Sequence, residues 1–380
     1  MTTRDPRQRL GYDTRSLRSA LVMAAVDALW PWRRHRPFAW GKTCVISSVA
    51  GLGDFFIQLP LIAGVVAGNR AAGIATKVAL RPAMLELGRR CGWDVMPFDN
   101  ALAEFFKAPG RMRPGQLLDP LLAARKSAPE LWIDLSANAV NALLVKLSGA
   151  RRLAGRVTRG GGSMVTHALP HTIGENEYLH NRRVAAHVGR ELDFSVFEKL
   201  TDGRLHGKVV LGLSTACRWR NWPLKNFRAI IEAFPEEQFI LLGFRHEIIE
   251  GERGALDELI AHPRVESLLD QVSILEMIRL VAGAKAVITN DTSFAHIATA
   301  YHRPGAVIFG PTDGGMWFRP EQDRWPDLQS TIVPARALRL FHDTACPWYP
   351  CVQWTCKNEA QWCMDLIPAA AVILHLRSIL

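Results

Sequence analysis

The chain has 380 residues, of which 48% are hydrophobic, and a formal net charge of +10. That length exceeds one ordinary core and suits two α/β domains, and the composition excludes a disordered, fibrous or solenoid protein. The basic excess points to anionic partners, and no run of about 18–20 uninterrupted apolar residues marks a membrane span.

Half of the excess charge lies in residues 1–40, where eight Arg stand against three Asp. Leu17, Leu21, Ala24, Ala25, Ala28 and Leu29 recur there at helical spacing. Trp30 to Arg36 mixes aromatic and cationic side chains. This appendage is either a segment lying on an anionic membrane face, or a helix packed on the first domain with a solvated basic end. Its short apolar run lacks a small-residue cleavage site, which argues against a signal peptide and for a cytoplasmic protein.

From residue 43 the pattern becomes strand–helix alternation. Residues 43–47 read as a buried strand, 50–54 as a glycine-rich turn, and 55–66 as a helix kinked at Pro60. A strand over 74–80, a helix over 83–91, a strand over 131–135 and a helix over 137–147 follow. Residues 151–172, rich in Gly, Arg and Thr, read as a surface loop, and 176–192 as a helix leading to a linker. The second series has strands at 208–213, 238–242, 286–289 and 305–309. Its helices are at 226–234, 274–282, 293–300 and 369–380. Such alternation predicts parallel sheets covered on both faces. The expected domains are 41–200 and 201–380, after the 1–40 appendage.

Candidate functional residues fall where strands end. Asp54 follows the first strand and a glycine turn, at what is the ligand edge of such sheets. Gly51 and Gly53 allow close backbone approach there. Asp54 is thus either a general base or a cap of the next helix. Asp291, Thr292 and Ser293 precede a helix that carries His296, and Ser214, Thr215 and Arg220 occupy the same edge one unit earlier. These groups either hold a diphosphate through backbone N–H, hydroxyls and a cation, or cap helices around a core imidazole. Glu247, after the 238–242 strand, is either an acceptor for two ribose hydroxyls or an ordinary first-turn carboxylate. Arg111, Arg113, Arg151, Arg152, Arg156 and Arg159 either face an acidic, phosphorylated acceptor or form a solvated basic surface. Cys346, Cys351, Cys356 and Cys363 have C-x4-C-x4-C-x6-C spacing. Four thiolates suffice for a structural Zn or Fe site, and reduced, part-buried thiols are the alternative.

Three stretches resemble glycosyltransferase family 9, the ADP-heptose:lipopolysaccharide heptosyltransferases. They are Gly53-Asp54 with Pro60; Ser214-Thr215 with Arg220-Asn221-Trp222-Pro223; and Thr289 to Ser293 with His296, Pro304 and Phe309-Gly310-Pro311-Thr312-Asp313. The match in order and spacing runs from about residue 43 to 313. It departs from the family at Arg220, where the family has Lys, and at Phe294, where it has a small residue.

The resemblance implies a GT-B fold: two Rossmann-like doubly wound lobes with a cleft between them. It implies an inverting transfer of heptose from a nucleotide diphosphate such as ADP-heptose to an anionic glycolipid or oligosaccharide of the lipopolysaccharide core. In that scheme Asp54 is the base and Arg220 neutralises the leaving diphosphate. Ser214, Thr215, Glu247, Asp291, Thr292, Ser293 and His296 bind the donor, and Gly53, Arg111, Arg113 and Arg156 face the acceptor. Catalysis in that scheme needs no metal or cofactor; the enzyme is expected in the cytoplasm, with residues 1–40 as the candidate peripheral contact to the inner membrane. The competing functions are a nucleotide-sugar epimerase drawing on Glu104, Asp134 and His167, and a silent nucleotide-binding homologue. No nucleic-acid-binding module is present, so nucleic acid is not an expected partner.

Overall fold

The structure is a computed structural model describing residues 24, 28, 35–99, 122, 125–126, 128–136, 139–157, 161–172, 175–310, 312, 332–334 and 363–380. The chain divides into two compact units, Met1–Val196 and Phe197–Leu380.

The first unit holds β1 (Thr43–Ser48), α1 (Leu52–Ala71), β2 (Ala75–Leu80), α2 (Leu85–Arg90), β3 (Val95–Pro97) and β4 (Leu131–Asp134). It continues with α3 (Ala139–Leu147), β5 (Arg152–Gly155), β6 (His167–Ala168) and α4 (Glu177–His187). Its six strands are all parallel, in the order β3-β2-β1-β4-β5-β6. β1 is central, and five of its six residues are buried, as expected of a strand covered on both faces.

Two segments differ most from the expectation. The first helix is longer at both ends, because Gly51 is its N-cap and it runs to Ala71. Gly64 and Gly68 do not break it. A Cβ at Gly64 would stand 1.7 Å from the Glu191 carbonyl oxygen, and one at Gly68 would stand 2.4 Å from Arg190 Cδ. These glycines let the helix approach the segment that follows α4. α1 has the length and composition of a membrane span, yet about two thirds of it is buried within the fold, as in a core helix. The second difference is the expected surface loop at 151–172, which carries β5 and β6 and buries Leu153, Ala154, Met164 and Val165. Its apolar runs are too short to stand out among the surrounding Gly and Arg.

The second unit holds β7 (Val209–Gly212), α5 (Leu224–Ala233), β8 (Phe239–Leu242), α6 (Arg253–Ile260), β9 (Val265–Ser267) and α7 (Ile274–Ala282). Then come β10 (Ala286–Asn290), α8 (Ser293–Ala300), β11 (Gly305–Ile308), β12 (Ile332–Pro334) and α9 (Ala369–Leu376). Its sheet runs β12-β11-β10-β7-β8-β9, again all parallel. Numbered within the unit, this is the same third-second-first-fourth-fifth-sixth order as in the first. Both units are therefore doubly wound α/β sheets of Rossmann type. Trp222, Phe227 and Phe239 anchor the second core, and Trp222 Nε1 donates to the Ile367 carbonyl at 2.8 Å, tying in the C-terminal segment.

In each unit the strand order reverses between the first and fourth strands, β1/β4 and β7/β10. The carboxyl ends of those strands are where an open α/β sheet offers a crevice to a ligand.

Candidate functional site

The reversal point of the second sheet gathers most of the predicted residues. β7 and β10 pair in register with Gly212 opposite Thr289, so the segments after both strands leave the sheet side by side. Ser214 follows β7 by two residues, and Asp291 follows β10 directly. Ser214 Oγ donates to Glu247 Oε2 at 2.7 Å and accepts from the Phe244 backbone N–H at 2.9 Å. This joins a residue after β7 to one after β8. Glu247 lies in a single 3-10 turn, Arg245–Glu247, and not in an α-helix.

Arg220 Nη1 donates to Asp291 Oδ2 at 3.1 Å, and the Thr312 hydroxyl donates to the same oxygen at 2.8 Å. The Arg220 and Asp291 side chains are 22% and 9% exposed, so solvent screens this pair only weakly. Burial raises the Asp291 carboxyl above the usual range, while Arg220 and the Thr312 hydroxyl pull it part of the way back. Among the described residues, Arg220 Nε is buried without a hydrogen-bond partner. The guanidinium therefore holds unused donor capacity beside a helix start.

That helix start is α8. Its N-cap is Thr292, whose Oγ1 accepts from the Phe294 N–H at 3.2 Å and lies 3.1 Å from Thr289 Oγ1. Ser293 opens the helix. His296 is buried, and burial pushes its imidazole from 6.5 down to about 3, so it is neutral at physiological pH. Phe294 points into the core and is 4% exposed. A Cβ at Gly212 would lie 2.6 Å from Phe294 Cδ2 and 2.4 Å from Thr289 Oγ1, so the glycine makes room for the ring. The departure at Phe294 is thus accommodated inside the sheet–helix packing.

Two asparagines stitch the site, and their roles are not evident from the sequence. Asn221 accepts from the Thr215 N–H at 2.8 Å and donates to the Glu247 carbonyl at 2.8 Å. Asn290 accepts from the Trp222 N–H at 3.0 Å and donates to the Leu213 carbonyl at 2.8 Å. Both lie within the 220–223 and 289–293 stretches, at a turn and a strand end, and that is the only signal they give. Thr215 itself turns inward and bonds Cys217.

In the first unit, Asp54 sits in the first turn of α1, where the helix dipole favours a carboxylate. Gly51 is the N-cap, with no side-chain cap bond. Gly53 and Asp54 are part-exposed, whereas Phe55 next to them is buried. Beside them at the reversal point, Ser47 Oγ donates to Asp134 Oδ1 at 3.1 Å and accepts from Trp132 Nε1 at 2.9 Å. Asp134 also accepts from the Ser136 N–H at 3.1 Å. His167 is buried, with Nδ1 3.1 Å from the Arg36 carbonyl oxygen.

Arg156 is buried, and its fork grips Glu177 at the start of α4, with Nη1 to Oε1 at 3.0 Å and Nη2 to Oε2 at 2.6 Å. Arg111, Arg113, Arg159, Glu104, Cys346, Cys351 and Cys356 lie outside the described residues, as do residues 1–23, 25–27 and 29–34 of the appendage. Cys363 is part-buried.

Residues 191–330 match the family model of glycosyltransferase family 9 (heptosyltransferase). Lipopolysaccharide heptosyltransferase 1 of Salmonella typhimurium is 32% identical over 103 residues, covering 26% of this chain and 30% of that relative's length. The solved structure of E. coli heptosyltransferase WaaC with ADP-2-deoxy-2-fluoro heptose superposes with a TM-score of 0.58 at 19% identity, covering 71% of this chain and 90% of that one. A glycosyltransferase family 9 structure from Veillonella parvula gives 0.60 at 12% identity, covering 91% and 98%.

Proposed function

We propose that this chain, whose residues 191–330 match the model of glycosyltransferase family 9, is an inverting transferase that moves a sugar from a nucleoside diphosphate to a saccharide hydroxyl. The observation that carries this reading is the convergence of Ser214–Glu247 and Arg220–Asp291–Thr312 at the reversal point of the second sheet. A diphosphate there meets the amino end of α8, the hydroxyls of Thr292 and Ser293, and the Arg220 cation. All three favour the charge that builds on a leaving diphosphate without a metal. Glu247, already oriented by Ser214, presents a carboxylate to ribose hydroxyls. His296, being neutral, acts as a hydrogen-bond partner and not as a charge. Asp291 and Thr312 hold Arg220 in place, and Thr215 shapes the turn.

Asp54 is the proposed general base, removing the proton from the acceptor hydroxyl as that oxygen attacks the anomeric carbon. The bond to the donor phosphate oxygen breaks on the opposite face, giving inversion in a single displacement. Gly53 leaves room beside the attacking group. Arg111 and Arg113 are the proposed contacts for acceptor phosphate or carboxylate. Arg156, bound to Glu177, supports that face from within.

Heptose carried on ADP is the proposed donor, and a lipopolysaccharide-core saccharide the acceptor. The support is the relative in Salmonella typhimurium named for that chemistry and the solved E. coli enzyme holding an ADP-heptose analogue. Placement at the cytoplasmic membrane face through residues 1–40, and a structural Zn or Fe at the four tail cysteines, complete the proposal. The epimerase reading is weaker, because Asp134 and His167 are buried in internal hydrogen bonds.

Replacing Asp54 with Asn tests the base. Transfer should fall by roughly 10²–10⁴-fold while donor affinity stays the same. Undiminished turnover would remove Asp54 from the mechanism.

A further inference from the structure

We infer that His171, Glu175 and His180, in the first unit and independent of the transfer chemistry, form a binding site for a divalent transition metal, Zn²⁺ by the character of the ligands. One ligand atom from each residue lies within 4.8 Å of the other two. His180 Nδ1 is 3.7 Å from Glu175 Oε2. Ligands of a tetrahedral Zn²⁺, bound at about 2.0–2.1 Å, stand roughly 3.3 Å apart. Small side-chain rotations therefore close the set around an ion.

The site has a built surround. The His180 and Glu175 side chains are 2% and 9% exposed. The two imidazoles meet edge to face with centroids 5.1 Å apart. Arg183 Nη1 donates to Glu175 Oε1 at 2.6 Å and to Thr172 Oγ1 at 3.0 Å. The Thr172 N–H donates to Glu175 Oε2 at 3.3 Å. Carboxylates that ligate metals are commonly oriented by such outer hydrogen bonds, and here they turn Oε2 toward His180. The frame is firm: the Asn176 side chain caps α4 by accepting from the Tyr178 and Leu179 N–H groups, and the His180 N–H donates to the Asn176 carbonyl at 2.9 Å.

Two imidazoles and one carboxylate, with a fourth position for water, make a zinc ligand set. Mg²⁺ and Ca²⁺ require more oxygen ligands than this. The ion would tie the segment before α4 to its first turn.

The test uses the untagged full-length chain, stripped with chelator and titrated with Co²⁺ and Zn²⁺, beside a His171→Ala/His180→Ala variant and a Glu175→Gln variant. Circular dichroism checks that all three are folded. The parent should bind one more equivalent than the double variant. Its Co²⁺ form should show visible d–d absorption that the double variant lacks, and Glu175→Gln should weaken Zn²⁺ at least tenfold. Any Co²⁺ at the tail cysteines is separated by its thiolate charge-transfer band, which should survive in both variants. Equal stoichiometry and identical spectra in parent and double variant would overturn the site, as would a parent that binds through thiolates alone.

Discussion

Arg220 and His296 carry opposite electrostatic duties within one site. Arg220 is a cation kept partly out of water by Asp291 and Thr312. Replacing it with Ala removes a charge-assisted contact to the diphosphate, of about 1.5–3 kcal/mol. Titration calorimetry should then show nucleoside diphosphate binding about 10–100-fold weaker, whereas Arg220→Lys, which restores the family's residue, should keep most of the affinity. His296 is uncharged because burial moves its imidazole from 6.5 to about 3. As pH falls through 6.5 the unfolded chain takes up a proton that the folded chain refuses until about pH 3. Its contribution to stability is thus complete above pH 6.5 and is lost on acidification toward pH 3, at up to about 1.4 kcal/mol per pH unit. Urea unfolding at a series of pH values should show a shallower acid-side slope for His296→Gln than for the parent. Equal slopes would mean that His296 does not titrate this way.

The elements show what was legible in the sequence and what was not. The strands at 43–48, 209–212, 239–242, 286–290 and 305–308 are short, mostly apolar runs, and each stands within a residue or two of its expected place. The helix after the first strand outruns its expected 55–66, and the glycines near that end, Gly64 and Gly68, do not stop it. Their actual use is the close approach to residues 190–191, which no local pattern announces. Gly64→Ala would press a methyl group onto the Glu191 carbonyl, a backbone atom with little freedom to move. We expect a loss of about 2–3 kcal/mol in the first unit, read as a lower urea midpoint for that unit, and an unchanged midpoint would show that the contact relaxes freely. Strands β3, β5, β6, β9 and β12 have only two to four residues each and lie outside the expected strands. They gain their strand character from parallel neighbours, not from their own periodicity. Within the site, the hydroxyl, carboxylate and cation positions could be read from motifs. The Asn221 and Asn290 stitches could not, since they depend on which segments meet across β7, β8 and β10.

At the scale of the whole molecule, one winding scheme is used twice, and in the proposed reaction each reversal point has a different task. The first copy presents Asp54 after β1. The second presents the donor residues after β7, β8 and β10. The central claim is that the second unit holds a nucleoside diphosphate sugar. It is tested most directly by thermal unfolding of the full chain against a panel of nucleoside diphosphates and their sugar conjugates. A specific donor at a hundredfold excess over its dissociation constant should stabilise the protein by roughly 2–3 kcal/mol, with ADP and ADP-heptose giving the largest shifts and Asp54→Asn responding as the parent does. No shift with any member of the panel would contradict the account.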